Sequence, residues 1–198
     1  MARDKTPLPV QAYIFILFVL CGLAGFGSCA SSGAKNGEDR LFAYLTDTSR
    51  YILLPPGGIE RPIDMAQYIS ASFRGSDFLF ASWVKADETA VEITLLNEMG
   101  TGMGELSYSG GSIAFSSAVF PASVKPEYII ADFQLCFYSV PLLARALKDC
   151  GLTLEASETT RRILKGKNLV YEIEKKAGEV KLTNYLRGYS YTLEGDFS

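Results

Sequence analysis

The chain contains no histidine. That removes the commonest general base at neutral pH and the commonest nitrogen ligand for zinc. Cysteine is scarce: four in 198 residues, two of them in the N-terminal segment. The remaining pair, Cys136 and Cys150, is too small a set for a three- or four-ligand Cys/His zinc site. The two thiols either form a disulfide in an oxidising compartment or sit as small buried residues on a pair of helices. Spacing does not choose between these, because a bridge depends on Cα separation. There is no basic cluster either. Lys and Arg number 19 against 22 Asp and Glu, for a net charge of −3, which argues against nucleic acid as a partner. Gly100-Thr101-Gly102-Met103-Gly104 has no Lys-Ser/Thr after it and reads as a loop, not a phosphate cradle. Gly110-Gly111-Ser112 lacks the G-x-S-x-G frame of a nucleophile elbow. With the usual signatures of acid–base and nucleophilic sites missing, the expectation is a protein that is not an enzyme, with no catalytic residue, cofactor or metal.

What is present begins at the N-terminus. Arg3 and Lys5 precede a short apolar run over residues 13–24, and small Gly27 and Ser28 precede Cys29. This order reads as a secretory signal peptide. A cysteine directly after the small residues marks a bacterial lipoprotein, acylated at that position. Phe26 stands where Leu is usual, and Cys21 is the weaker candidate because bulky Leu20 precedes it. The alternatives are a retained membrane span or ordinary secretion. The dense apolar part is shorter than the ~20 residues a span needs. The expected organisation is a signal peptide over 1–28, lipidated Cys29 with a polar tether over 29–40, and one domain over 41–198. Ala30 lacks the acidic character that often retains lipoproteins at the inner membrane. The expected location is therefore the outer membrane of a bacterial envelope, facing the periplasm.

The body of the chain is 48% hydrophobic and 12% aromatic when counted with the signal, a composition that argues against disorder. Residues 67–74 alternate Ile69, Ala71 and Phe73 against Ser70 and Ser72, the period of a half-buried strand. Residues 78–84 and 91–95 flank a charged turn, and 104–108 and 112–116 flank Gly110-Gly111, which predicts two hairpins. The period then lengthens. Residues 126–138 predict an apolar helix with Pro126 at its first position, and residues 142–150 a second, closed by Gly151. Ser139 and Pro141 mark the break between them. Strand patterns return over 152–155, 160–164, 169–174, 179–185 and 189–194. Strands, a helical pair and strands again predict an α+β fold with an antiparallel sheet.

Asp132 and Gln134 interrupt the apolar helix and, if buried, need partners. Arg161 and Arg162 are available by composition. These four residues form either a helix-to-sheet tie or a polar anchor for a lipid headgroup. Phe80, Trp83, Phe115, Phe133 and Phe137, with Phe78, are candidates to line an apolar ligand cavity. An ordinary core is the competing reading. Strand alternation puts Phe78 and Phe80 on one face and Trp83 on the other.

Residues 125–138, followed by Leu142-Leu143-Ala144-Arg145-Ala146-Leu147, resemble the central motif of a family of uncharacterised bacterial envelope lipoproteins. Some of its members are encoded with fatty-acid and aryl-polyene synthesis genes. Residues 51–56 and 161–171 are similar to its flanking segments. The family often has Trp-Pro where this chain has Tyr138-Ser139-Val140-Pro141. The resemblance implies a LolA/LolB-like fold: an incomplete antiparallel barrel, its open side crossed by helices, with an apolar cavity between. It implies a lipoprotein that binds or transfers an apolar acylated molecule such as a lipid, a lipoprotein or an aryl polyene. The alternative is a non-enzymatic assembly or scaffold lipoprotein with a filled core and an envelope protein partner.

Cys29→Ser is expected to release the domain from membranes while leaving its thermal midpoint unchanged, because the residue precedes the polar tether. Cell fractionation and thermal unfolding check this. A mutant that stays tightly bound would identify residues 13–24 as a retained helix.

Overall fold

Alternating apolar and polar residues lay out twelve strands in the computed structural model, which describes residues 40–197 apart from 74, 98, 119 and 121–123. The signal segment, Cys29 and the tether lie outside the described residues. The first two strands, β1 (Phe42–Tyr44) and β2 (Arg50–Ile52), pair only with each other. A short 3-10 turn follows at Pro56–Gly58. Next comes an antiparallel run of β3 (Ile63–Phe73), β4 (Ser76–Ala86), β5 (Ala90–Leu96), β6 (Gly102–Ser109) and β7 (Ser112–Ser117). Helices α1 (Pro126–Phe137) and α2 (Val140–Asp149) interrupt the strands. The chain then returns as β8 (Thr153–Ala156), β9 (Thr160–Lys165), β10 (Asn168–Lys176), β11 (Glu179–Asn184) and β12 (Tyr189–Gly195).

The two runs join into one ten-stranded sheet, ordered β7-β6-β5-β4-β3-β12-β11-β10-β9-β8. Every pairing is antiparallel. The sheet is curved and not closed, and its class is α+β. The last strand fills the gap between the two runs, with Leu193 opposite Ile69 and Tyr191 opposite Ala71. Turn chemistry sets the hairpins. Gly110 and Gly111 take φ of +55° and +77°, which a two-residue hairpin turn demands. Asp87 Oδ1 accepts from the backbone N–H of Thr89 and Ala90 and closes the β4–β5 turn.

Helix α1 covers the concave face. Pro126 opens it, where a missing N–H costs nothing. Residues Ile130 to Cys136 are buried without interruption. Pro141 restarts the chain as α2, which is amphipathic and buries Leu143 and Leu147. Among the described residues no helix is long and apolar enough to cross a membrane. Cys136 and Cys150 are both free thiols, so the disulfide alternative is not realised. Burial pushes the Cys136 thiol up to about 12 and keeps it protonated.

The junction between the helices is held by the 3-10 turn. Ser139 N–H donates to Gly58 O at 3.0 Å, and Glu60 N–H donates to Phe137 O at 2.9 Å. The Tyr138 ring lies so close over Gly58 that a Cβ there would sit 2.5 and 2.7 Å from two of its carbons. Gly58→Ala is therefore expected to destabilise the protein by about 1–3 kcal/mol, the usual cost of overpacking a core. A lowered denaturant midpoint with an unchanged m-value is the expected reading. An unshifted midpoint would mean that the ring moves aside freely.

Candidate functional site

Strand register places Phe78 opposite Ala71, Phe80 opposite Ile69, and Phe115 opposite Leu106, all on the side of the sheet that faces the core. Phe78 and Phe80 stack with rings 6.2 Å apart and 6° from parallel. Phe120, in the segment after β7, joins them: its ring lies 6.0 Å from Phe80 and 6.5 Å from Phe115. These four rings form an aromatic rim. Phe78 is 46% exposed, and the other three are half-buried. Further along the same face, Gln67 pairs opposite Ser82, and both are buried. Ser82 Oγ has no hydrogen-bond partner among the described residues. The rim thus leads towards a polar position within an otherwise apolar surface.

The candidate cavity residues divide three ways. Phe80 and Phe115 belong to the rim. Phe133 and Phe137 sit on α1 in a separate string, 4.9 Å apart, that continues to Phe197 at 5.7 Å from Phe137. Phe137 and Phe197 line a cleft of about 480 Å³ that is otherwise largely charged, with Glu60, Arg61, Lys175 and Lys176. Trp83 is on the outer face, 48% exposed, and its indole N–H donates to Asp64 Oδ1 at 2.9 Å. The expectation that Trp83 lines the cavity is therefore corrected. It is one residue out of phase with Phe80 and Ser82, and the pleat sends it to solvent.

The polar group resolves into four separate arrangements. Gln134, fully buried, treats Leu54 as a strand partner: its Oε1 accepts from Leu54 N–H at 3.0 Å and its Nε2 donates to Leu54 O at 2.7 Å. The Tyr51 hydroxyl donates to the same Oε1 at 3.0 Å. Arg161, also buried, donates from Nη1 to Leu135 O and Tyr138 O at 2.9 and 2.8 Å, and from Nη2 to Glu60 Oε1 at 2.7 Å. Arg162, next along β9, points to the opposite face and pairs with Glu172 at 2.8 Å. Neither arginine hydrogen-bonds or ion-pairs with Asp132. Its partner is the Tyr189 hydroxyl, which donates to Oδ2 at 2.7 Å, while Oδ1 has no hydrogen-bond partner among the described residues. Gln134 and Arg161 are helix-to-sheet ties.

Asp132 is a carboxyl taken out of water with one hydrogen bond. Desolvation pushes it up to about 7, against the opposing pull of the Tyr189 hydroxyl and the Arg187 charge. Arg187, in the β11–β12 turn, stacks over the Tyr128 ring at 4.3 Å. The other groups facing Asp132 are Tyr171 on β10, Tyr191 on β12 and Cys136 on α1. Burial raises each of them, so they stay neutral. Sequence reasoning missed Tyr189 and Glu60 as partners, and Phe120 in the rim. Phe120 lies beside Pro121 in a stretch without periodicity.

A pH dependence follows from Asp132. Below about pH 4 the carboxyl is protonated in both the folded and unfolded chain. Between pH 4 and 7 the unfolded chain gives up the proton while the folded one keeps it, so the folded state loses stability as pH rises. Above 7 the loss is complete, on the order of 4 kcal/mol. Asp132→Asn keeps an acceptor for Tyr189 and cannot ionise. It is expected to flatten this slope and to be more stable than the natural chain at pH 8. Urea unfolding at pH 5, 6, 7 and 8 checks it, and parallel profiles for the two proteins would refute it.

No curated protein matches this chain. One family model does, over residues 64–195, a stretch that takes in all but the first residue of the ten-stranded sheet, together with both helices, Asp132, Gln134, Arg161 and the whole aromatic rim. The chain therefore belongs to the family described as protein of unknown function (DUF3261).

Proposed function

We propose that this protein is a bacterial envelope lipoprotein, held at the outer membrane through Cys29, that binds or hands over an apolar acylated molecule at the aromatic rim. The observation that carries this reading is the placement of Phe78, Phe80, Phe115 and Phe120. They extend the core-facing side of the sheet beyond the part that α1 buries. Apolar rings on that side, with one edge in water, suit a chain-like ligand. Each methylene buried there would contribute about 0.8 kcal/mol. Gln67 and Ser82 supply a polar stop at the inner end. The lipoprotein-like N-terminus and the resemblance to a LolA/LolB-like carrier fold support the same reading. The ligand classes to try first are fatty-acyl chains and aryl polyenes.

A second reading has its own observation. The space under α1 is filled by the protein's own side chains, with Ile130, Leu135 and Cys136 fully buried there. That favours an assembly or scaffold lipoprotein, whose rim would be a protein contact.

Titration with a fluorescent fatty acid separates the two. Under the carrier reading the protein binds the probe, and Phe80→Ser weakens binding by about tenfold, the equivalent of 1–2 kcal/mol of lost apolar contact. Trp83→Ala, on the outer face, leaves binding unchanged. Equal losses in both variants, or no binding by the natural chain, would favour the scaffold reading.

A further inference from the structure

The open sheet has two edges, and they are built differently. Edge β8 has four residues, carries exposed Glu155 and is followed in the sheet by Arg162 directly opposite that charge. Short length and charge are how edges are kept from pairing with other chains. Edge β7 has neither full protection. Its six residues, Ser112-Ile113-Ala114-Phe115-Ser116-Ser117, include no charge and no proline. No charged residue occurs between Glu105 and Lys125. Ile113 and Phe115 are only half-buried.

The ladder determines which backbone groups β7 presents outward. Ala118 N–H donates to Met103 O at 2.9 Å, and the Gly110-Gly111 turn closes on the pair Ser109–Ser112. Bonded and non-bonded pairs alternate along an antiparallel ladder. Residues 112, 114 and 116 are therefore bonded to β6. The N–H and C=O of Ile113 and Phe115 point away from it, and among the described residues no backbone hydrogen bond reaches them.

We propose that β7 is a homodimer seat: two copies pair antiparallel, edge to edge, with Ala114 opposite the partner's Ala114. In this register Ile113 exchanges both backbone hydrogen bonds with the partner's Phe115, and the symmetric pair does the same, for four bonds in all. The interface is self-complementary, as a two-fold contact requires. On the outer face Ala114 meets its own counterpart, and Ser112 meets the partner's Ser116, all small and uncharged. On the inner face Ile113 lies beside the partner's Phe115, an aromatic–β-branched pair of the kind that stabilises sheets. A slip towards the turn would push Gly111, held at φ +77°, into the ladder. The pairing depends on the edge alone and not on any ligand.

Cysteine crosslinking of the full chain, extracted in mild detergent, tests the register. In a non-bonded antiparallel pair the Cα atoms are about 4.5 Å apart, within disulfide range. Ala114→Cys is expected to give a disulfide-linked dimer on mild oxidation, above the background of the unsubstituted chain. Ser112→Cys would be separated from its own counterpart by about 13 Å and is expected to give none. Equal crosslinking by both variants, or none by either, overturns the proposal. Light scattering provides the second test. The natural chain is expected to be a dimer at micromolar concentration. Ala114→Lys, exposed in one copy but facing a like charge in the pair, is expected to raise the dissociation constant at least tenfold without lowering the thermal midpoint. A natural chain that is monomeric, or a lysine variant as dimeric as the natural chain, would overturn it.

Discussion

A helix buried on nearly every side has nowhere in solvent to send the carbonyls of its last turn. In this protein that burden falls on Arg161. One nitrogen of its guanidinium meets two carbonyls at the end of α1, Leu135 O and Tyr138 O, and the other reaches Glu60. A cation at a helix C-terminus is also favoured by the helix dipole. Because Arg161 comes from β9 and Glu60 from the segment before β3, one side chain ties the helix to both halves of the sheet. The helix is thereby fixed along its length. With its C-terminal end held, Gln134 lies against Leu54 and Asp132 against Tyr189. The arginine is held by geometry as much as by charge, since a lysine offers no planar fork to serve two carbonyls and a carboxylate together.

Asp132 and Gln134, the buried polar residues of α1, solve the burial problem unequally. Gln134 engages both ends of its amide, lending half-buried Leu54 the partner that a neighbouring strand would give. Asp132 is left with one bond and an idle oxygen. Of these three buried groups, Arg161 and Gln134 are well partnered and Asp132 is not, a cost accepted at one position. Costs of this kind gather at places with a use beyond folding. Tyr171, Tyr189 and Tyr191, all kept neutral by burial, surround the carboxyl with hydroxyls and rings, and the charge that pulls against its desolvation is that of Arg187.

Much of this architecture was legible in the residues. The hairpins β4–β5 and β6–β7 follow from alternation and from Asp87 and Gly110-Gly111, because the physics that forms them acts within a dozen residues. The length of α1 follows from its apolar run, and the break at Pro141 from a ring that cannot continue a helix. Parity along β4 separates Trp83 from Phe80, so the two cannot line one cavity. The partners were not legible. Asp132 meets Tyr189, 57 positions away, and Arg161 meets Glu60, 101 positions away. Both pairings exist only because β12 enters between β11 and β3, and no local pattern announces that insertion. Phe120 was hidden by its irregular surroundings, and β1 by having three residues.

The insertion of β12 has a consequence for how the chain is made. The strands from β3 to β7 form one local meander and those from β8 to β12 another, each built from neighbours in sequence that can zip as they appear. The seam between them, β3 against β12, joins Gln67 to Gly195 and closes a loop of nearly the whole domain. Contacts so distant in sequence form late, because loop-closure entropy must be overcome before they contribute anything. The seam also needs β12, the last strand of the sheet in chain order, so it forms only after both runs have been made. Until then each half exposes a raw edge. The folded sheet therefore depends on one long-range pairing, in which β12 joins the run β8–β12 to β3.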